Sequence, residues 1–164
     1  MELGVHFALS DSVAAELLDA RGDDDKLGAV VEDIEETGRS EFSCDTDKAW
    51  DPILCALSST GYERVSENWP AYGVILGDDD LNTDTDDQLV TYLAPDRSPK
   101  SPRTWRKSPN PSSACATTRC RSTTATPSTV PTSAGTPGVG CRKWRTFFQR
   151  AARENHHVVF TVRF

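Results

Sequence analysis

The sequence predicts an α+β domain in which a small mixed sheet packs with several helices. Three observations point there. Apolar residues recur at helical spacing between capping and glycine signals in the first sixty residues. β-Branched and aromatic runs open the chain, recur near residue 90 and return at its far end. A length of 164 residues suits one domain with one core.

Gly4-Val5-His6-Phe7-Ala8-Leu9 reads as a first strand, and Ser10-Asp11-Ser12 as the cap of a helix carrying Val13, Leu17 and Leu18 on one face. Gly22 ends that segment. Asp23-Asp24-Asp25 then opens a second helix, with Leu27, Val30, Val31 and Ile34 as its stripe and Gly38 as its stop. A third helix is expected to start at Asp45 to Asp47 and to present Trp50, Ile53, Leu54 and Leu57, with Pro52 tolerated in its first turn. Trp69 to Gly77 is an apolar cluster bounded by Pro and Gly. Asp78 to Asp87 reads as an acidic surface loop, and Leu89-Val90-Thr91-Tyr92-Leu93 as a strand. Phe147 to Arg153 reads as a helix end, Asn155 as its cap, and His157 to Val162 as a closing strand.

Charge is distributed in blocks. The net charge is -7, yet 24 of the 25 acidic residues fall in residues 1–96. Residues 97–145 contain no Asp or Glu and ten of the 18 basic residues. This tract is mostly Ser, Thr, Pro and Arg and has no Leu, Ile, Phe or Tyr, so it is expected to be disordered. A linker, a nucleic-acid-binding tail and a slipped reading frame compete to explain it. Reading codons across peptide junctions favours the frame slip. Thr104–Trp105 must then encode Leu, Val or Met, while Pro137–Gly138 and Val139–Gly140 permit Trp. Amphipathic helices become permitted at both ends of the tract, the second running into Phe148. The chain accordingly divides into residues 1–96 and 146–164 of one domain, flanking a false segment at 97–145. On that reading the basic block is an artefact and the domain itself is acidic, which argues against nucleic acid as a partner.

With the frame repaired, the chain resembles the YfbM-like family of bacterial proteins of unknown function. The resemblance rests on Gly4 to Leu9, on Asp47-Lys48-Ala49-Trp50-Asp51 before an apolar helix, on Val74-Ile75-Leu76-Gly77, on Tyr92-Leu93-Ala94-Pro95, and on the helix and strand from Phe147 to Val162. It implies helices packed on a small sheet, and it implies no reaction.

No motif for catalysis, cofactor or metal stands out. The five cysteines include no CxxC pair and read as free thiols. Asp78 to Asp84 imitates the start of a calcium loop, but Thr83 stands where Gly is needed and Leu89 where Glu is needed. His156-His157 reads as an exposed pair whose side chains diverge. Ser58-Ser59 has no nucleophile-elbow context. The remaining candidate is a ligand or partner groove formed by His6, Asp47, Lys48 and Trp50. The start of the chain shows no secretory signal and no apolar run spans a bilayer, so a cytoplasmic protein with no membrane partner is expected. The leading function is a non-catalytic binding or adaptor domain acting through a protein partner. The alternatives are an enzyme with an uncatalogued carboxylate/His site, and a frameshifted product without function.

Overall fold

The computed structural model describes residues 3–57, 62–64, 69, 72–84, 87–98 and 137–164, without the side chains of 52, 55–57 and 137–142. The expectations for Ser58-Ser59, for the Cys55, Cys115, Cys120 and Cys141 side chains, and for disorder over 99–136 lie outside the described residues.

Among the described residues, five strands form one sheet: β1 (Leu3–Leu9), β2 (Phe42–Asp47), β3 (Asp79–Asp80), β4 (Gln88–Leu93) and β5 (His157–Arg163). Their order is β2-β1-β5-β4-β3. Every pairing is antiparallel, rather than mixed, so the α+β class holds with a simpler sheet. Helices α1 (Asp11–Asp19) and α2 (Asp24–Thr37) cover one face. Helices α3 (Trp50–Leu57), α4 (Gly73–Leu76) and α5 (Pro137–Glu154) cover the other.

Strand side chains alternate between these layers. Val158, Phe160 and Val162 of β5 enter the core under α3 and α5, whereas Val159 faces α1 and α2. Leu89 and Leu93 of β4 follow the first set, and Val90 and Tyr92 the second. Burial on both faces explains why these strands read as continuous apolar runs.

The local signals act as chemistry requires. The Asp23 carboxylate accepts the backbone N–H of Lys26 at 3.1 Å, capping α2. Gly38 ends that helix in the left-handed region, at φ 64°. Asn155 does the same after α5, at φ 58°. Ser10 precedes α1, but its hydroxyl meets Ser12 and makes no capping bond.

The expected helix start at Asp45 to Asp47 is corrected. Those residues complete β2, and α3 begins at Trp50. Inward Cys44 and Thr46 alternate with exposed Ser43, Asp45 and Asp47, a period of two that outweighs the acidic helix-start signal. Asp47 takes φ 49° where the chain leaves the strand, and a turn bond from Ala49 N–H to the Thr46 carbonyl follows at 2.9 Å.

The apolar cluster at residues 73–76 is a single buried helical turn. Thr91 Oγ1 donates to the Ile75 carbonyl at 2.6 Å, and the Arg64 guanidinium donates to the Leu76 carbonyl and to Asp80. The acidic loop is held in place. Asp24 accepts bonds from Thr83 N–H, Thr83 Oγ1 and Asp84 N–H, which pull its carboxyl below the usual range. Leu81 at its base is buried.

Both ends of the low-complexity tract fold. Ser98 is buried, and Arg97 stacks on Trp69 at 4.2 Å while pairing with Asp78 at 3.0 Å. Helix α5 begins at Pro137, upstream of the expected boundary at residue 146, and Trp144 enters the core.

Candidate functional site

The four sequence candidates divide between interior and surface. His6 on β1 has no exposed surface. Its ring lies 4.7 Å from Phe160, 5.4 Å from Phe148 and 5.8 Å from Phe147, centroid to centroid. Nε2 sits 2.7 Å from the Val74 carbonyl oxygen, so it carries the proton. Nδ1 has no partner among the described residues. Burial outweighs the Val74 bond and lowers the pKa from 6.5 to about 4, leaving a neutral imidazole. Trp50 is also buried and reaches the same Phe160 ring, at 6.0 Å. Asp47 and Lys48 stand exposed on the turn between β2 and α3. Beside Trp50, the exposed Tyr62 donates its hydroxyl to Asp51 at 2.6 Å, and exposed Phe164 lies 6.1 Å from the indole.

A groove that sequence reading missed runs along β2. It encloses about 530 Å³ between Phe42, Cys44 and Asp45 of β2 and Lys143, Phe147 and Arg150 of α5. Its floor is apolar: Phe42 meets Phe147 edge to face at 5.2 Å. The Arg150 guanidinium lies 4.1 Å over the Phe42 ring and pairs with Glu154 one helical turn on. Lys143 stands exposed on the rim. The Cys44 thiol is pushed up by burial and by the Asp45 charge, against the opposing effect of Lys143, so it stays protonated and is a weak nucleophile.

A second groove, of about 350 Å³, lies on the α2 side of the sheet. Leu3, Val5, Phe7, Glu35, Thr161 and Arg163 line it. The two grooves share Ser43 and Asp45, so they flank the outer edge of β2 from opposite faces. The signal for this region was the alternation in Phe42 to Asp47. Helical residues a hundred positions later complete the first groove, and local pattern could not bring them there.

On the α1 side of the sheet three polar groups stand in series. Tyr92 donates its hydroxyl to His157 Nδ1 at 2.6 Å, and His157 Nε2 donates to Asp11 at 3.1 Å. Burial, then the charge of Asp78, pushes the Tyr92 phenol up. The histidine pair expected on the surface is therefore only partly exposed. His157 is engaged on both ring nitrogens, and His156 packs its edge against Phe42 at 5.6 Å. Among the described residues, no three His, Cys, Asp or Glu side chains gather as a metal site, and no helix is long and apolar enough to cross a membrane.

No curated protein matches the chain. Among solved structures it is similar to YfbM from Escherichia coli, a protein of unknown function, at 13% identity and a TM-score of 0.54. That match covers 98% of this chain and 99% of the other, and it carries the likeness in fold. Residues 1–101 match the family described as Domain of unknown function (DUF1877). With that match spanning more than half its length, the chain belongs to the DUF1877 family, as its YfbM-like strands and helices lead one to expect.

Proposed function

We propose that this domain is a non-catalytic, cytoplasmic binding module that acts through a protein partner. The groove between β2 and α5 carries the reading. It has a floor of aromatic side chains, a cationic rim, and a size that suits side chains of another protein. The states of the reactive groups nearest to it support binding over catalysis. His6 is sealed and neutral, and Cys44 is protonated. Affinity capture with the full chain, followed by reconstitution with the purified partner, tests the reading. A direct complex that is lost when Lys143→Glu and Thr146→Arg obstruct the groove supports it. A complex indifferent to both changes, or no complex at all, refutes it.

The series Asp11, His157 and Tyr92 favours a second reading, an enzyme with a carboxylate/His site. An imidazole held between a carboxylate and a phenol can pass a proton between them. Turnover of any substrate by the full chain, abolished by His157→Ala, would establish it.

The slipped-frame reading of residues 97–145, under which the product has no function, is supported by the composition of that tract. Sequencing the gene across codons 95–148 decides it: a one-base gain or loss at one end of the tract, offset by the opposite change at the other end, is expected against an intact relative.

A further inference from the structure

We propose that the outer edge of β2 is completed by a sixth strand, supplied in extended form by a partner protein, with alternate side chains entering the two flanking grooves. This deepens the protein-partner reading and rests on it.

The sheet order leaves β2 paired to β1 alone among the described residues. A strand at a sheet edge presents outward N–H and C=O groups that another chain can satisfy. Edges that refuse partners usually carry Pro, charged side chains or a bulge. Phe42-Ser43-Cys44-Asp45-Thr46-Asp47 carries no Pro, and its two acids and its register shift opposite Gly4/Val5 gather toward its C-terminal end. The regular open stretch thus runs from Phe42 to Asp45.

Side-chain accommodation supplies the second argument. Successive residues of an added strand point to opposite faces. At this edge each face has its own groove, and the two meet at Ser43 and Asp45. A strand laid there puts one parity of side chains over Phe42 and Phe147. It puts the other over Leu3, Val5 and Phe7.

Charge selects the occupant. Lys143 on the α5 side and Asp45 on the edge have no ion-pair partner among the described residues. Glu35 and Arg163, by contrast, already face each other at 3.5 Å. The fitting segment therefore carries an acidic residue in the parity facing α5, a basic residue in the parity facing Asp45, and apolar residues beside them. A second copy of this chain fits poorly. Two β2 strands paired antiparallel about a twofold axis at Asp45 or Thr46 would oppose Asp45 to Asp45 or to Asp47 of the other copy, and like charges opposed across a ladder repel.

The test uses the full chain and peptides selected on it from a random dodecapeptide display library. The best binder is then studied by amide hydrogen exchange. Protection at Phe42 to Asp45 on binding is expected. N-methylation at alternate peptide bonds should weaken binding about tenfold, with the intervening positions tolerant, because one parity of backbone faces β2. Lys143→Glu should weaken it by about tenfold, with recovery when the acidic peptide residue becomes Lys. The proposal is overturned if selection yields no binder, or if β2 amides are already protected in the free chain. Protection elsewhere, or a dimer of this chain paired through β2, overturns it equally. A reconstituted natural partner that leaves β2 unprotected sinks the strand mode while leaving the broader reading intact. Failure to reconstitute any partner removes that broader reading.

Discussion

His6 Nε2 donates to the Val74 carbonyl oxygen across 2.7 Å, tying the first strand to a helical turn 68 residues away in sequence. That bond exists in a pocket of aromatic rings, where a charged imidazole would be poorly solvated.

A pH dependence of stability follows from it. The folded pKa of about 4 lies below the ordinary 6.5, so the unfolded chain takes up the proton first as pH falls. The contribution is whole above about pH 6.5 and is lost progressively down to about pH 4. The loss should approach about 3 kcal/mol for a fully buried group shifted this far. Urea denaturation of the native chain and of His6→Phe, at neutral and acid pH, measures it. The variant should start less stable, lacking the Val74 bond, and should show a shallower acid decline by about that amount.

Two left-handed glycines should respond differently to one methyl group. Gly38 has φ 64° and open space around a would-be Cβ. Gly77 has φ 57°, and a Cβ there would stand 2.3 Å from the Tyr92 carbonyl oxygen. Gly38→Ala is expected to cost about 1–2 kcal/mol, from backbone conformation alone. Gly77→Ala should exceed it, at about 3 kcal/mol or more, since β4 must also shift. Equal losses in thermal melts would show that the close approach is relieved without cost.

The two helix starts on the α1/α2 face offer a matched comparison. Asp23→Ala removes a real cap and should cost about 1 kcal/mol. Ser10→Ala removes a hydroxyl that caps nothing and should stay within about 0.5 kcal/mol. Denaturation midpoints at constant slope would check both.

Thr91→Val is expected to destabilise by about 1–3 kcal/mol despite its near-identical shape. It strips the Ile75 carbonyl of its buried donor, at a site where water cannot substitute. Preserved stability would mean that the carbonyl finds another donor.

Elements with a strong local signal were legible in sequence. Asp23, Gly38 and Asn155 mark boundaries by their own chemistry, and β1, β4 and β5 show their branched and aromatic runs. β2 was not legible. Its inward positions are Cys44 and Thr46, and its outward acids imitate a helix start. The candidate groove was further from reach, because an edge is a property of topology. Nothing in Phe42 to Asp45 announces that β2 has a single neighbour among the described residues or that Lys143 and Arg150 will stand beside it. Trp50 was legible as a core anchor, and its meeting with His6 on Phe160 follows from strand pairing rather than spacing.

The central place of β5 sets a schedule for biosynthesis. It is bonded to β1 on one side and β4 on the other, yet it is translated after both. While the ribosome is still upstream of His157, the nascent chain holds two strand pairs with a vacant slot between them, each exposing an inner edge. A message truncated anywhere before that point, or a register that slipped and never returned, would deliver two halves with no keystone and a product destined for proteolysis or clumping.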